Sequence, residues 1–175
     1  MRRKALILAV AALLALVLAV PASASKPIEV EVDGNFVMRG LVDEVVTVGN
    51  RCFVQTWWYA DLTGDIKGTC AIHERQVAHG PCEGSFPGSY RETLHLEAEC
   101  TEMVFEEKSG DFRLRGNGEI VPVDPPEFFV MHWRENCVIL SGTGDLANLH
   151  GSLTLESHPD EEGAYSGELH FEPDK

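Results

Sequence analysis

Apolar and polar residues alternate with a period of two along most of this chain. Ile28, Val30 and Val32 alternate with acidic residues, and the same alternation recurs in residues 66–73 and 94–100. A period of two places every second side chain on one face of a β-strand. Further strands are predicted in residues 52–59, 112–114, 128–140, 153–155 and 169–171. No sustained 3.6-residue apolar period follows residue 24, so the pattern predicts seven or eight short strands in an all-β sandwich or closed barrel.

Acidic glycine turns separate several of these strand patterns. A Ser or Thr followed by Gly, Asp and an apolar residue occurs at residues 63–66, 109–112 and 143–146. Glycine supplies the positive φ of a tight hairpin, and aspartate can hydrogen-bond to the turn backbone. Calcium binding is the alternative, but the dense carboxylate spacing of a calcium loop is missing. We therefore expect three structural turns and no metal or other cofactor.

The N-terminus has the features of a cleaved signal peptide. Residues 1–4 are positively charged, residues 5–20 are apolar, and residues 22–24 form a small-x-small cleavage site. Cleavage after Ala24 leaves one domain, residues 25–175, with 11 basic and 28 acidic residues and a net charge of −17. So acidic a surface repels phosphate backbones and anionic lipids, which argues against nucleic-acid and membrane partners. The sequence predicts a secreted protein.

All five cysteines lie after residue 24, and no two of them form a Cys-x-x-Cys pair. In an exported chain they predict disulfides with one thiol left over, rather than a zinc site. If residues 66–78 and 92–104 form a hairpin, Cys70 lies opposite Cys100 on the same face, near disulfide distance. A one-residue bulge in the loop of residues 79–91 or near Thr101 would offset this pair, and a change of apolar phase predicts a bulge at residues 101–104. Cys82 is a competing disulfide partner for either cysteine.

The glycine-rich hairpin of residues 138–153 resembles the signature hairpin of allene oxide cyclases and dirigent proteins. Residues 64–70 resemble that family's Gly-x3-Gly strand, and residues 104–116 its apolar strand, glycine turn and return strand. A group of small bacterial proteins of unknown function shares the pattern, which extends over about residues 60–172. The resemblance implies an eight-stranded antiparallel β-barrel with a cavity, and a homo-oligomer, often trimeric in the plant families. Residues 28–50 do not match the segments that carry the family's reactive groups, so no activity is transferred.

Six residues are candidates for a ligand site in the barrel: Trp57, Tyr59, Glu74, His132, Trp133 and Arg134. Residues 57–59 are interpreted first as barrel core and rim. Glu74 lies on the same strand face as Ile72. The preferred interpretation is that the strand ends there, and the alternative is that Glu74 is an acid inside a pocket. His132 and Arg134 lie on one strand face and Trp133 on the other, and parity does not decide which face is interior.

No catalytic constellation stands out. The chain has no Gly-x-Ser-x-Gly motif, its seven histidines are scattered, and the pair His95 and Glu97 is more typical of a solvated strand face than of a metal site. The preferred hypothesis is an exported barrel that binds a small apolar ligand in its cavity or has a non-catalytic structural role. The alternative, which the resemblance implies, is a cofactor-free isomerase or cyclase, or a dirigent-like stereochemical guide.

Overall fold

A computed structural model describes residues 27–49, 51–78, 92–122, 131–157 and 162–173. The predicted signal peptide, residues 1–24, lies outside the described residues, as does Cys82. Within the described ranges, no helix is long and apolar enough to cross a membrane.

The described chain is a closed antiparallel barrel in which each strand pairs with its neighbours in sequence and β8 returns to β1. The predicted all-β, eight-stranded antiparallel barrel is therefore confirmed. A 3-10 turn, Gly144–Leu146, precedes β7. The strands are β1 Val30–Val48, β2 Arg51–Gly64, β3 Ile66–Ala78, β4 Glu92–Phe105, β5 Lys108–Pro122, β6 Met131–Gly142, β7 Leu149–Ser157 and β8 Gly163–Phe171.

The first strand is longer than its sequence pattern indicated. β1 has 19 residues, and β8 pairs with it only from Val30 to Phe36. Residues 37–48, called the β1 arm below, pair with β2 alone, after a register shift between Arg39 and Val42. The arm lacks a strict period of two because paired apolar residues interrupt the alternation, so pattern reasoning missed it.

The predicted β3–β4 register is confirmed. Cys70 lies opposite Cys100, and the two form a disulfide with an S–S distance of 2.04 Å. A register shift between Cys100 and Met103 places the bulge where the change of apolar phase predicted one. Cys52 is also disulfide-bonded, whereas Cys137 is a free, buried thiol. Such bonds fit an oxidising compartment.

Two of the three predicted glycine turns are confirmed. Gly64 ends β2 with φ of +105°, and Gly144 begins the 3-10 turn with φ of +58°. The prediction for residues 109–111 was wrong, because these residues lie inside β5 and the turn is made by Glu106 and Glu107. Asp111 instead accepts a hydrogen bond from the backbone N–H of Glu102, at the β4 bulge.

The interior is filled over most of the barrel's length by one apolar cluster, which includes Phe36, Ile66, Leu96, Phe112 and Leu169. The void that the described structure retains among Phe36, Trp58 and Leu153 has a volume of about 10 Å³. That volume holds at most one water molecule. A second, smaller apolar cluster of Cys52, Val54 and Ala78 lies toward the end where β2 begins and β3 ends.

Candidate functional site

The structure separates the predicted ligand residues into interior and exterior groups. Glu74 and Trp133 face the interior and are 4% and 8% exposed. Trp57, Tyr59 and Arg134 lie on the outer face. For His132 the structure gives the backbone position in β6 but no description of the side chain.

Glu74 is not at a strand end, as the preferred interpretation had it, but in the middle of β3. It belongs to a buried polar layer of four side chains between the two apolar clusters: Thr56, Glu74, Gln76 and Glu135. Cross-strand pairing brings the members of β2 and β3 together, because Thr56 lies opposite Glu74. The layer is thus built by strand register.

Hydrogen bonds hold Glu74 from two sides. Its Oε2 accepts from the indole N–H of Trp58 at 3.3 Å, and its Oε1 accepts from the Gln76 amide at 2.8 Å. The hydroxyl of Thr56 donates to Asp43 Oδ1 at 2.8 Å. Buried polar groups are usually paired in this way, since an unpaired one loses its hydration without compensation.

Glu135 differs from Glu74 in having no such support. It is fully buried, and neither carboxyl oxygen has a hydrogen-bond partner within the described part of the chain. Its β5 neighbour in the register is Gly118, where an added Cβ would lie 2.4 Å from Glu135 Cγ. The absence of a side chain at Gly118 therefore provides the space that Glu135 occupies.

Burial and charge together change the protonation of this layer. Burial, and then the negative charge of Glu74, raise the pKa of Glu135 to about 9 from an ordinary value of 4.5. Glu135 is therefore protonated at neutral pH and can donate one hydrogen bond as well as accept. Burial, with added contributions from Glu135 and Glu74, also raises the pKa of the Cys137 thiol, which makes this free cysteine a poor nucleophile.

Three aromatic rings lie beside the polar layer. The ring centroids of Trp58 and Trp133 are 5.9 Å apart in an edge-to-face arrangement, and Phe36 is 6.2 Å and 5.9 Å from them. Edge-to-face contacts of this kind stabilise aromatic clusters and fix the ring orientations. Inside the barrel, these three rings are therefore packed against one another beside the hydrogen-bonding acid.

The outer tryptophan lines a separate groove on the barrel's exterior. Trp57 stacks on His73 with a ring-centroid distance of 4.9 Å. The guanidinium of Arg39 lies over the Tyr59 ring, 5.5 Å from the ring centroid, in a cation–π contact. The groove has a volume of about 510 Å³, and Ala71 contributes the small side chain between these aromatic residues and Glu99. Its shape is compatible with a bound molecule, but its carboxylates and guanidinium groups are largely paired with one another.

Sequence reasoning missed Glu135, although a signal was present. Glu135 shares the parity of Trp133 and Cys137, and the two glycines of β5, Gly116 and Gly118, lie opposite Cys137 and Glu135. Alternating glycines on one strand face indicate that a neighbouring strand places larger groups there. Across the described ranges, no cluster of three or more His, Cys, Asp or Glu side chains is arranged to hold a metal ion.

The chain matches no protein-family model and no curated protein. Its fold is similar to the crystal structure of a protein of unknown function from the DUF3224 family of Shewanella oneidensis MR-1. The TM-score is 0.63 at 16% sequence identity, and the match covers 84% of this chain and all of the other. At that identity the likeness shows the barrel fold alone. It does not confirm the expected relation to allene oxide cyclases and dirigent proteins.

Proposed function

We propose that this protein is an exported β-barrel that binds a small, mainly apolar ligand inside the barrel, where a polar group of the ligand hydrogen-bonds to Glu135. The supporting observation is the burial of Glu135, whose two carboxyl oxygens have no hydrogen-bond partner among the described residues. Leaving a buried polar group unpaired costs about 1–3 kcal/mol. A ligand that donates to or accepts from this carboxyl removes that cost.

The surroundings of Glu135 define the ligand class. Trp58, Trp133 and Phe36 favour a flat or branched apolar body, and the protonated acid favours a hydroxyl, carbonyl or amine as the polar group. Because the void beside Phe36 and Trp58 is about 10 Å³, binding requires these rings to move apart. Since the apolar cluster fills the other end of the barrel, such a ligand approaches from the end where β6 begins. Few precisely placed polar groups in an otherwise apolar site are typical of small-molecule binding.

Native mass spectrometry of the protein purified from its own host tests this proposal. The wild type should carry an additional non-covalent mass, and Glu135→Leu, which removes both donor and acceptor, and Trp133→Ala should reduce its occupancy. Arg134→Ala is the matched control, because Arg134 lies between these residues in sequence but pairs with Glu156 at 3.0 Å on the outer face. A wild type without bound mass, or equal occupancy in all four proteins, contradicts the proposal.

A second candidate function is acid–base catalysis without a cofactor, as in an isomerase. The observation that favours it is the placement of a protonated Glu135 within the influence of the negative charge of Glu74. A protonated carboxyl beside a charged one can supply an acid and a base to the same site, with Glu135 as the acid and Glu74 as the base. Incubation of the recovered ligand in D₂O distinguishes the functions: catalysed proton exchange adds deuterium with wild type but not with Glu135→Gln, whereas simple binding adds none.

Export is tested separately from ligand binding. N-terminal sequencing of the protein outside the cytoplasm should begin at or near Ser25. Recovery of chains that begin at Met1 or Arg2 in the membrane fraction contradicts cleavage. The ligand proposal does not depend on that outcome.

A further inference from the structure

The β1 arm, residues 37–48, is the one long strand segment in the described part of the chain that has a neighbour on a single side. β2 pairs with it as far as Val48, whereas β8 stops at Phe36. Among the described strands, none pairs with the backbone N–H and C=O groups along its other side. An edge of this kind binds another β-strand unless it is blocked.

Both faces of the arm carry exposed apolar side chains. Val42 and Val46 lie opposite Trp57 and Phe53 on the outer face, and Val45 lies on the inner face. Leu41, Val45 and Val48 are 62%, 56% and 60% exposed. The arm contains no Lys or Pro, the residues that commonly prevent edge pairing, and its bulge lies at the base. Its sequence and its free edge both favour coverage by another strand.

We propose that the β1 arm pairs antiparallel with the β1 arm of a second copy of this chain, across a two-fold axis through Val45. Each copy presents the same edge, so one isologous contact satisfies both edges and then closes. The result is a continuous sheet in which β2 and β1 of one copy are followed by β1 and β2 of the other. This inference is independent of the proposed ligand.

Charge selects the register. A two-fold axis normal to the sheet places one residue of the arm opposite itself in the second copy. An axis through Asp43 or Glu44 would place two carboxylates directly opposite each other, which is destabilising. An axis through Val45 avoids both contacts and pairs the arms over residues 42–48, further than an axis nearer the turn allows. An axis through Val42 or an earlier residue would require pairing across the register shift between Arg39 and Val42.

The Val45 register also matches the remaining side chains. Asp43 lies opposite Thr47 of the second copy on the inner face, where the hydroxyl can donate to the carboxylate oxygen that Thr56 leaves free. Val42 lies opposite Val48 of the second copy on the outer face. Both pairs are complementary, one by hydrogen bonding and the other by apolar contact.

Cysteine cross-linking tests the contact and its register. Val45→Cys should form a disulfide-linked dimer on mild oxidation, because the two thiols face each other at the axis. Thr47→Cys is the matched control on the same face, where the two copies of the residue lie about 13 Å apart at roughly 3.3 Å per residue. Linkage through Thr47→Cys alone overturns the register, and equal linkage of both variants overturns a specific contact.

The molar mass in solution tests for the dimer without introducing a cysteine. Light scattering should give twice the chain mass for the wild type and the monomer mass for Val45→Lys, because two lysines would meet at the axis. Val104→Lys, an exposed substitution on β4 outside the arm, should remain dimeric. Far-UV circular dichroism confirms that each variant folds. A monomeric or trimeric wild type, or a dimeric Val45→Lys, overturns the proposal.

The salt dependence of the monomer–dimer equilibrium is a further test of the contact. The sequence has a formal net charge of −14, so two copies repel each other at low ionic strength. Added salt screens this repulsion and should increase the dimer fraction of the wild type. A dimer that dissociates with added salt would depend on ion pairs rather than on the apolar arm, and would contradict the proposed contact.

Discussion

Tyr165 and Glu135 are both buried polar side chains of this barrel, but their surroundings differ. The Tyr165 hydroxyl accepts a hydrogen bond from the Ile66 N–H at 2.8 Å and donates one to the Ile66 carbonyl at 3.0 Å. Glu135 has no partner among the described residues. The first side chain ties β8 to β3 and contributes to stability. The second lowers stability, which is typical of a group kept for a function.

The same contrast holds for whole regions. Most of the interior is a filled, apolar section formed by the main cluster. The polar layer of Thr56, Glu74, Gln76 and Glu135 interrupts this packing, and Glu135 lies in it although its strand is paired on both sides, with Gly118 and Leu155. The barrel therefore gains its stability from the filled section and carries its unsatisfied carboxyl in the polar layer.

The largest effect expected from this contrast is the dependence of the free energy of unfolding on pH. The pKa of Glu135 is raised to about 9 in the folded protein from 4.5. The folded state therefore keeps a proton that the unfolded chain releases, so the contribution of Glu135 to stability is greatest below pH 4.5 and is lost as pH rises toward 9. The limit is roughly 1.4 kcal/mol per pH unit over this range. Urea denaturation at several pH values measures the slope.

Two variants test whether Glu135 causes this pH dependence of stability. Glu135→Gln should flatten it, because the amide does not titrate. Glu99→Gln, an exposed carboxyl on the outer face, should leave it unchanged. If the wild type and Glu135→Gln have equal slopes, then Glu135 is not a proton-retaining group.

The next effect concerns the filled section. Leu169 on β8 is fully buried in the main apolar cluster, so Leu169→Ala removes packed atoms and leaves a cavity. We expect a loss of about 2–5 kcal/mol in the free energy of unfolding. Chemical denaturation at fixed pH measures it. A loss below 1 kcal/mol would show that this section is not the source of stability.

Removal of the Cys70–Cys100 disulfide should have a similar or smaller effect. Replacing both cysteines with alanine frees a loop with a sequence separation of 30 residues. The chain-entropy model gives a loss of about 2–4 kcal/mol. Denaturation of the double variant beside reduced and oxidised wild type measures the loss. Equal stability of all three would contradict a structural role for the bond.

The smallest expected effect is a difference in stability between variants of two neighbouring tryptophans that lie on opposite faces of β2. Trp58→Phe removes the indole N–H that donates to Glu74, which leaves a buried carboxylate oxygen without that bond and should cost about 1–3 kcal/mol. Trp57→Phe changes a partly exposed ring and should change stability by about 0.5 kcal/mol or less. Thermal unfolding of both variants gives the comparison. A larger effect at Trp57 would reverse the assignment of inner and outer faces.

The candidate site was predictable only in part. Glu74 and Trp133 were named from the sequence and do lie inside, but Trp57, Tyr59 and Arg134 were named with them and lie outside. The reason is that residues 57–59 and 128–134 carry large apolar side chains on both faces of the strand. A period of two separates the two faces but does not say which of them is buried.

Local geometry explains what the sequence by itself determined. Strand alternation and glycine turns depend on neighbouring residues, so they identified the all-β class and most of its strands. The choice of an eight-stranded barrel over a sandwich came from the resemblance of the glycine-rich hairpins to a known family. The pairing of Cys70 with Cys100 followed from hairpin register, which is also a local property.

Tertiary structure decided the features that depend on strands distant in sequence. Closure of β8 onto residues 30–36 leaves the β1 arm with a free edge, and no pattern within the arm specifies where β8 stops. The environment of Glu135 likewise requires Gly118 beside it and the charge of Glu74 from another part of the barrel. Burial and charge add over all neighbours in space, and the barrel alone brings those neighbours together.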